Sequence, residues 1–142
     1  MYLGVAGACA EQAANASTPL ALSLTSPSDV TLNVPPGVNG ATSTAGEITS
    51  VASASGGTTP YSYAWTLIEV TDATGEYAVS SQGTTTNATY NDATVKTTYN
   101  NPLPPTPPPP PPPPATFRVS CTVTDGNSDT VTTTKDFTVS VV

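Results

Sequence analysis

Eight consecutive prolines at residues 107–114 stand directly in front of ATFRVSCTVTD (115–125), where apolar and polar residues alternate as in a β-strand. Proline has no backbone N–H to donate to a sheet, and a polyproline II run extends about 3.1 Å per residue. The run therefore cannot be a strand within a sheet, nor can it make a tight reversal. We expect an extended segment that projects from the fold, bridges two points or lies along the surface.

The same alternation recurs along most of the chain. It is strongest in YSYAWTLIEV (61–70), where Trp65 should be the central core residue, opposite the small residues of a strand within 46–57. No long amphipathic helix is indicated, and 142 residues suit one domain. The sequence thus predicts an all-β fold. Further strands are expected at 20–25 and 30–34 (a split first strand), 115–125 and 130–142. Segments 76–82, 85–90 and 93–99 are weaker candidates, of which at least two should be strands.

The alternation leads to a further prediction at each of two residues. Cys121 is in phase with the apolar residues of its strand, which predicts a buried thiol rather than a disulfide with Cys9. Lys135 shares the parity of the apolar residue Phe137, which predicts a β-bulge near residues 133–136.

Two segments, SASGGTTPYSYAWT (53–66) and ATFRVSCTVTDGNSDT (115–130), resemble the PKD and bacterial Ig-like domain families. The resemblance covers residues 45–142 and implies a single Ig-like, PKD-like Greek-key sandwich of about seven strands. It departs from the family because the acidic turn W-D-F-G-D-G is missing after Trp65 and Cys121 has no disulfide partner in the third strand. The implied organisation is an N-terminal arm (1–19) and a sandwich (20–142), with a polyproline loop (102–114) between the fifth and sixth main strands.

Composition excludes several classes of function. The chain has no histidine, three basic residues and a formal net charge of −7, so neither histidine-based catalysis nor nucleic-acid binding is expected. No apolar run approaches the roughly 20 residues of a membrane span. DGNSD (125–129) has the alternating oxygens of a calcium loop, but its expected place in a hairpin favours a plain turn. We expect no enzyme, no cofactor and no metal, although calcium at 125–129 stays open.

Two functions from different classes remain for a non-catalytic Ig-like domain. The first is a structural phage protein in the virion, such as a capsid decoration, head-fibre or tail component, which its N-terminal arm anchors to other virion proteins or to copies of itself. A sequence that begins at Met1 without a convincing signal peptide, and has no tandem repeats, favours this first function. The alternative is an extracellular adhesive or spacer module of a bacterial surface protein.

Assembly contacts are expected in the apolar arm and in the proline run. The run itself could be an interface or only a stiff spacer, and the sequence leaves both open. The candidate contact residues are Tyr2, Leu3, Val5, Pro107, Pro108, Pro109, Pro110, Pro111, Pro112, Pro113 and Pro114.

Overall fold

A computed structural model describes residues 18–35, 43–44, 48–100, 102, 107 and 109–142. These residues contain no helix and form nine strands in two sheets, so the predicted all-β class is confirmed. The strands are β1 (Ala21–Leu24), β2 (Val30–Leu32), β3 (Ser43–Thr44), β4 (Ile48–Ser55), β5 (Ser62–Thr71), β6 (Tyr77–Gln82), β7 (Thr89–Thr97), β8 (Ala115–Thr124) and β9 (Thr130–Val141).

The first sheet is built around β7. Its residue Thr97 pairs with Ser43 of β3 and with Tyr77 of β6, so these two strands lie on opposite edges of β7. Strand β4 follows β3 along the same edge, and β1 pairs with β4. The second sheet has the order β2-β9-β8-β5, and all its pairs are antiparallel except β2 with β9. Strands are therefore found at both positions predicted for the first strand, with β1 in one sheet and β2 in the other.

The core lies between the sheets. Along β8 burial alternates at every residue, because successive side chains of a strand point to opposite faces. The predicted burial of the Cys121 thiol is confirmed, and this cysteine is free. The buried residues contributed by β8 are Ala115, Phe117, Val119, Cys121 and Val123.

Trp65 of β5 is buried as predicted, directly opposite Cys121 of β8. Its indole ring stacks on the ring of Tyr90, which belongs to β7 of the other sheet. The indole Nε1 donates a 2.9 Å hydrogen bond to the carbonyl of Asn87. Trp65 therefore joins the two sheets through β7, a contact that the sequence did not predict.

Strand β7 corrects the prediction of separate strands at 85–90 and 93–99. Ser50 pairs with Tyr90 and Ile48 with Ala93, so two steps along β4 match three along β7. The extra residue is a β-bulge, and the exposed residues Asn91 and Asp92 lie within it. The bulge shifts the inward parity, which made one strand resemble two strands with a turn between them.

The bulge predicted at residues 133–136 is wrong. Strands β8 and β9 pair residue by residue without a shift, and Lys135 lies opposite Val119. Lys135 is nevertheless exposed. Strand β2 pairs only with residues 139–141 of β9, so the described part of the sheet leaves the edge beside Lys135 without a strand. A long lysine side chain can reach water at such an edge while its backbone stays in the ladder.

Candidate functional site

Residues 109–114, named here the proline strap, belong to the connection that crosses from β7 in the first sheet to β8 in the second. They form no strand, in agreement with the expectation that prolines cannot pair in a sheet. Pro112 is buried, so the strap lies along the fold rather than projecting from it. Its exposed residues are Pro109, Pro110, Pro111, Pro113 and Pro114. Pro107 is also exposed, whereas Pro108 is outside the described residues.

Two buried tyrosines hold the strap by their hydroxyl groups. Tyr99 donates a 2.5 Å hydrogen bond to the carbonyl of Pro109, and Tyr77 donates one of 3.4 Å to the carbonyl of Pro112. Only 5% of Tyr99 and 3% of Tyr77 is exposed. A proline run offers carbonyl acceptors and no N–H donors, and a phenol is a donor on an apolar ring. The two tyrosines therefore match both the chemistry and the apolar surface of the strap.

Sheet pairing brings these tyrosines together. Tyr77 pairs with Thr97, and Tyr99 follows two residues later. The N–H of Thr98 donates a 2.7 Å hydrogen bond to the carbonyl of Glu76, which extends the β6–β7 pairing past the end of β7. The N–H of Tyr99 donates to the hydroxyl of the buried Thr97 at 3.1 Å. Tyr99 is thus fixed beside Tyr77 although it lies beyond the strand.

The turn before β6 fixes the position of Tyr77. The carboxylate of Asp72 accepts hydrogen bonds from the N–H of Tyr77 at 2.8 Å and from the N–H of Thr74 at 2.9 Å. Burial alone would raise the pKa of Asp72, but the hydrogen bonds from Tyr77 and Thr74 outweigh it and lower the pKa below its usual value. The pKa of Tyr77 is raised, first by burial and then by the negative charges of Asp72 and Glu76. Its phenol therefore stays protonated and remains a donor to the strap.

The described residues of the arm, Thr18 and Pro19, lie at the opposite end of the sandwich. The N–H of Gly57 donates a 2.7 Å hydrogen bond to the carbonyl of Thr18, the first described residue. A Cβ on Gly56, whose φ is 70°, would lie 2.0 Å from the carbonyl oxygen of Pro19, so the chain can pass this closely only at a glycine. The contact residues Tyr2, Leu3 and Val5 lie outside the described part of the chain.

Asp125 ties the β8–β9 hairpin to this same end. Its carboxylate accepts the N–H of Thr58 at 2.7 Å and those of Asn127 and Asp129 at 2.9 Å each. The N–H of Thr58 is the largest cause of the lowered pKa of Asp125. Both carboxylate oxygens thus serve the turn, and the described residues contain no group of three or more acidic or cysteine side chains placed to hold a metal ion.

A groove of about 260 Å³ opens beside the first residues of β5. The segment between β6 and β7 forms its other wall, and Trp65 and Tyr63 supply its aromatic surface. None of its lining residues is charged. These residues are Tyr63, Ala64, Trp65, Thr84, Thr85 and Thr86.

The sequence did not predict that Tyr77 and Tyr99 contact the strap, and it did not predict the groove. Under the interface alternative it placed aromatic partners for the prolines on a neighbouring subunit, whereas Tyr77 and Tyr99 of the same chain contact the strap. One signal was present, because Tyr99 closes a strand pattern just before the proline-rich segment. The groove had no such signal, since the alternation of β5 assigns Tyr63 to the core and says nothing about the loop opposite.

Comparison of the chain with protein-family models, with curated proteins and with solved structures gave no match. The described residues contain no helical segment with the length and apolar character that a membrane crossing needs. What can be inferred about function comes from the chain's own residues and contacts.

Proposed function

We propose that the sandwich is an Ig-like, PKD-like Greek-key domain with the proline run inserted between its fifth and sixth main strands. If β1 with β2 and β3 with β4 are each counted as one split strand, nine elements become seven. The orders β1-β4-β7-β6 and β9-β8-β5 then correspond to the A-B-E-D and G-F-C sheets of that fold. Trp65 on the third main strand and the double glycine before it support the same assignment.

The function that the geometry supports best is that of a non-enzymatic structural component of a phage particle, anchored by its N-terminal arm. One observation carries the proposal: Thr18 and Pro19, the described residues of the arm, lie at the end of the sandwich where Gly57 and Asp125 lie, and the strap lies at the other end. Strand β8 runs from one to the other over ten residues, a distance of about 30 Å. A chain attached through its arm would therefore hold the strap away from its support.

Three acidic side chains have structural hydrogen-bond partners, which supports a structural rather than a catalytic role for them. Asp72 and Asp125 accept backbone N–H groups in turns. Asp136 forms a two-pronged ion pair with Arg118, with N–O distances of 2.6 and 2.8 Å. Carboxylates bound in this way stabilise a surface and are not free to act as an acid and base pair.

Immunogold labelling would test where the protein resides. Antibodies raised against residues 18–142 should label phage particles from infected cultures and leave uninfected cells unlabelled. Labelling of the cell surface with bare particles would refute the virion proposal and favour the extracellular adhesive or spacer module.

A chain that begins at Thr18 tests the arm. It should unfold at the same denaturant concentration as the full chain, because the described sandwich keeps all its strands, yet it should fail to attach to particles. Attachment of the truncated chain at the normal level would show that the arm is not the anchor.

A further inference from the structure

We propose that copies of this chain associate head to tail, with the exposed face of the proline strap of one copy seated in the groove beside Tyr63 and Trp65 of the next. This inference goes beyond the proposed function and does not depend on a phage particle. It commits to one occupant of the groove, the strap of a second copy.

The two surfaces are chemically complementary. Beyond the carbonyls of Pro109 and Pro112 that Tyr99 and Tyr77 already engage, the strap offers further carbonyl acceptors and apolar rings, and no N–H donor. The groove is lined by two aromatic residues and by three consecutive threonines, whose hydroxyls are able to donate hydrogen bonds. Proline-rich segments are typically bound in aromatic-lined grooves, because little conformational entropy is lost when a preordered run docks.

The charge distribution favours these surfaces for contact between copies. The chain carries a net charge of −7, so two copies repel one another electrostatically overall. Residues 109–114 and the six residues that line the groove include no charged side chain. Two copies can therefore meet strap to groove without burying an unpaired carboxylate in the contact.

The positions of the two surfaces determine the kind of assembly. The strap directly precedes Ala115, and Tyr63 of the groove pairs with Val123, eight residues further along β8. The surfaces thus lie about 26 Å apart along the strands. An interface between two different patches of one chain is heterologous, and it produces an open chain of subunits or a ring rather than a closed symmetric dimer.

Two charge-introducing variants test the proposal by sedimentation velocity over a concentration series. Thr86→Asp puts a carboxylate in the groove and Pro111→Asp puts one on the strap, and both positions are exposed. Each should weaken self-association by at least about tenfold, the effect of losing one important interface residue. Ser53→Asp, on an exposed position of β4 outside both surfaces, is the matched control and should associate like the unmodified chain.

Mixing the two variants distinguishes head-to-tail association from any symmetric dimer. The Thr86→Asp chain keeps an intact strap and the Pro111→Asp chain keeps an intact groove. Together they should form a one-to-one pair that grows no further. If the mixture contains only monomers, or if either variant associates as strongly as the control, the proposal is overturned.

A peptide probe tests the groove alone. Trp65 is the only tryptophan of the chain, so its fluorescence reports directly on the groove. An acetylated and amidated octaproline peptide should change the Trp65 emission saturably in the unmodified chain and in Pro111→Asp, and not in Thr86→Asp. A chain that stays monomeric to about millimolar concentration, the limit of weak specific binding, would overturn the proposal, as would emission that does not respond to the peptide.

Discussion

The rings of Trp65 and Tyr90 lie face to face, with centroids 5.3 Å apart and planes 7° from parallel. One ring comes from each sheet, so the stack joins the two layers of the sandwich. The polar groups of the two rings differ in their hydrogen bonding. The indole N–H of Trp65 donates to the carbonyl of Asn87, whereas the Tyr90 hydroxyl is buried without a hydrogen-bond partner among the described residues. The side-chain amide of Gln82 lies near this hydroxyl, where it partly offsets the rise in the pKa of Tyr90 that burial causes, and its Nε2 donates to the carbonyl of Leu67.

Removal of the indole should be severely destabilising. Trp65→Ala leaves a large cavity between the sheets and should lower the free energy of unfolding by about 3 to 5 kcal/mol. Urea denaturation followed by circular dichroism measures the change. Trp65→Phe keeps an aromatic ring on Tyr90 and should cost less. An unchanged midpoint for Trp65→Ala would contradict the burial of Trp65.

Tyr90→Phe should not lower the free energy of unfolding, in contrast to Trp65→Ala. A buried hydroxyl without a partner costs about 1 to 3 kcal/mol, so its removal should leave stability unchanged or increase it by up to that amount. Tyr90→Ala, which removes the stacked ring as well, is the contrasting variant and should destabilise strongly. A clear loss of stability in Tyr90→Phe would mean that the hydroxyl has a partner in the folded protein.

Tyr99→Phe tests the attachment of the strap. The carbonyl of Pro109 would lose its phenol donor, and the free energy of unfolding should fall by about 1 kcal/mol, the usual net value of one hydrogen bond. Tyr63→Phe removes a hydroxyl with no hydrogen bond among the described residues and should leave the urea midpoint unchanged. Equal midpoints for both variants would show that the Tyr99 hydroxyl does not stabilise the strap.

Burial raises the pKa of the Cys121 thiol from 9.0 to about 11. A raised pKa in the folded state contributes stability that is present below pH 9 and is lost as the pH rises through about 11. Tyr77 and Tyr90 also have raised pKa values and add an alkaline loss of the same sign. The difference in urea midpoint between a Cys9→Ser chain and the same chain with Cys121→Ala should therefore shrink from pH 8.5 to about 11. A constant difference would contradict the raised pKa.

Asp125 should make the hairpin sensitive to acid. Because its folded pKa is lowered, it contributes stability that is present above its usual pKa and is lost as the pH falls through the folded value. Asp125→Asn should lower the melting temperature at pH 7, and the gap to the unmodified chain should narrow below about pH 4. Asp29→Asn, which alters a carboxylate that accepts a single N–H from Thr138, is the control and should show a smaller gap. Equal gaps at pH 7 would contradict the role of Asp125.

The strands could be predicted because their physical cause is local. In β8, and in β5 from Tyr63 to Leu67, the period of two is unbroken, so Trp65 and Cys121 were assigned to the core correctly. The prediction failed at β7, where the bulge at Asn91 and Asp92 shifts the parity of the strand. A bulge depends on how a strand fits two neighbours at once, and the sequence of one strand does not contain that information.

Only part of the candidate site could be predicted from the sequence. The proline run could be recognised from the sequence itself. Its attachment to the sandwich depends on the pairing between β6 and β7, which aligns Tyr77 with Thr97 and so brings Tyr99 beside Tyr77. Both tyrosines belong to weakly patterned segments. The exposure of Lys135 likewise could not be predicted from its place in the alternation of β9, because it follows from an open sheet edge in the described part of the fold.

The parallel pairing of β2 with β9 has a mechanical consequence. Val30 pairs with Val139 and Leu32 with Val141, and the N–H of Val142 donates to the carbonyl of Leu32 at 3.0 Å. The two strands run in the same direction, so tension between the N-terminal side of β2 and the C-terminal side of β9 pulls them past each other along their length. The hydrogen bonds, which lie across the strands, are then loaded together in shear rather than opened one at a time. Tension applied across β2 and β9 is therefore resisted by all the hydrogen bonds of this short ladder at once.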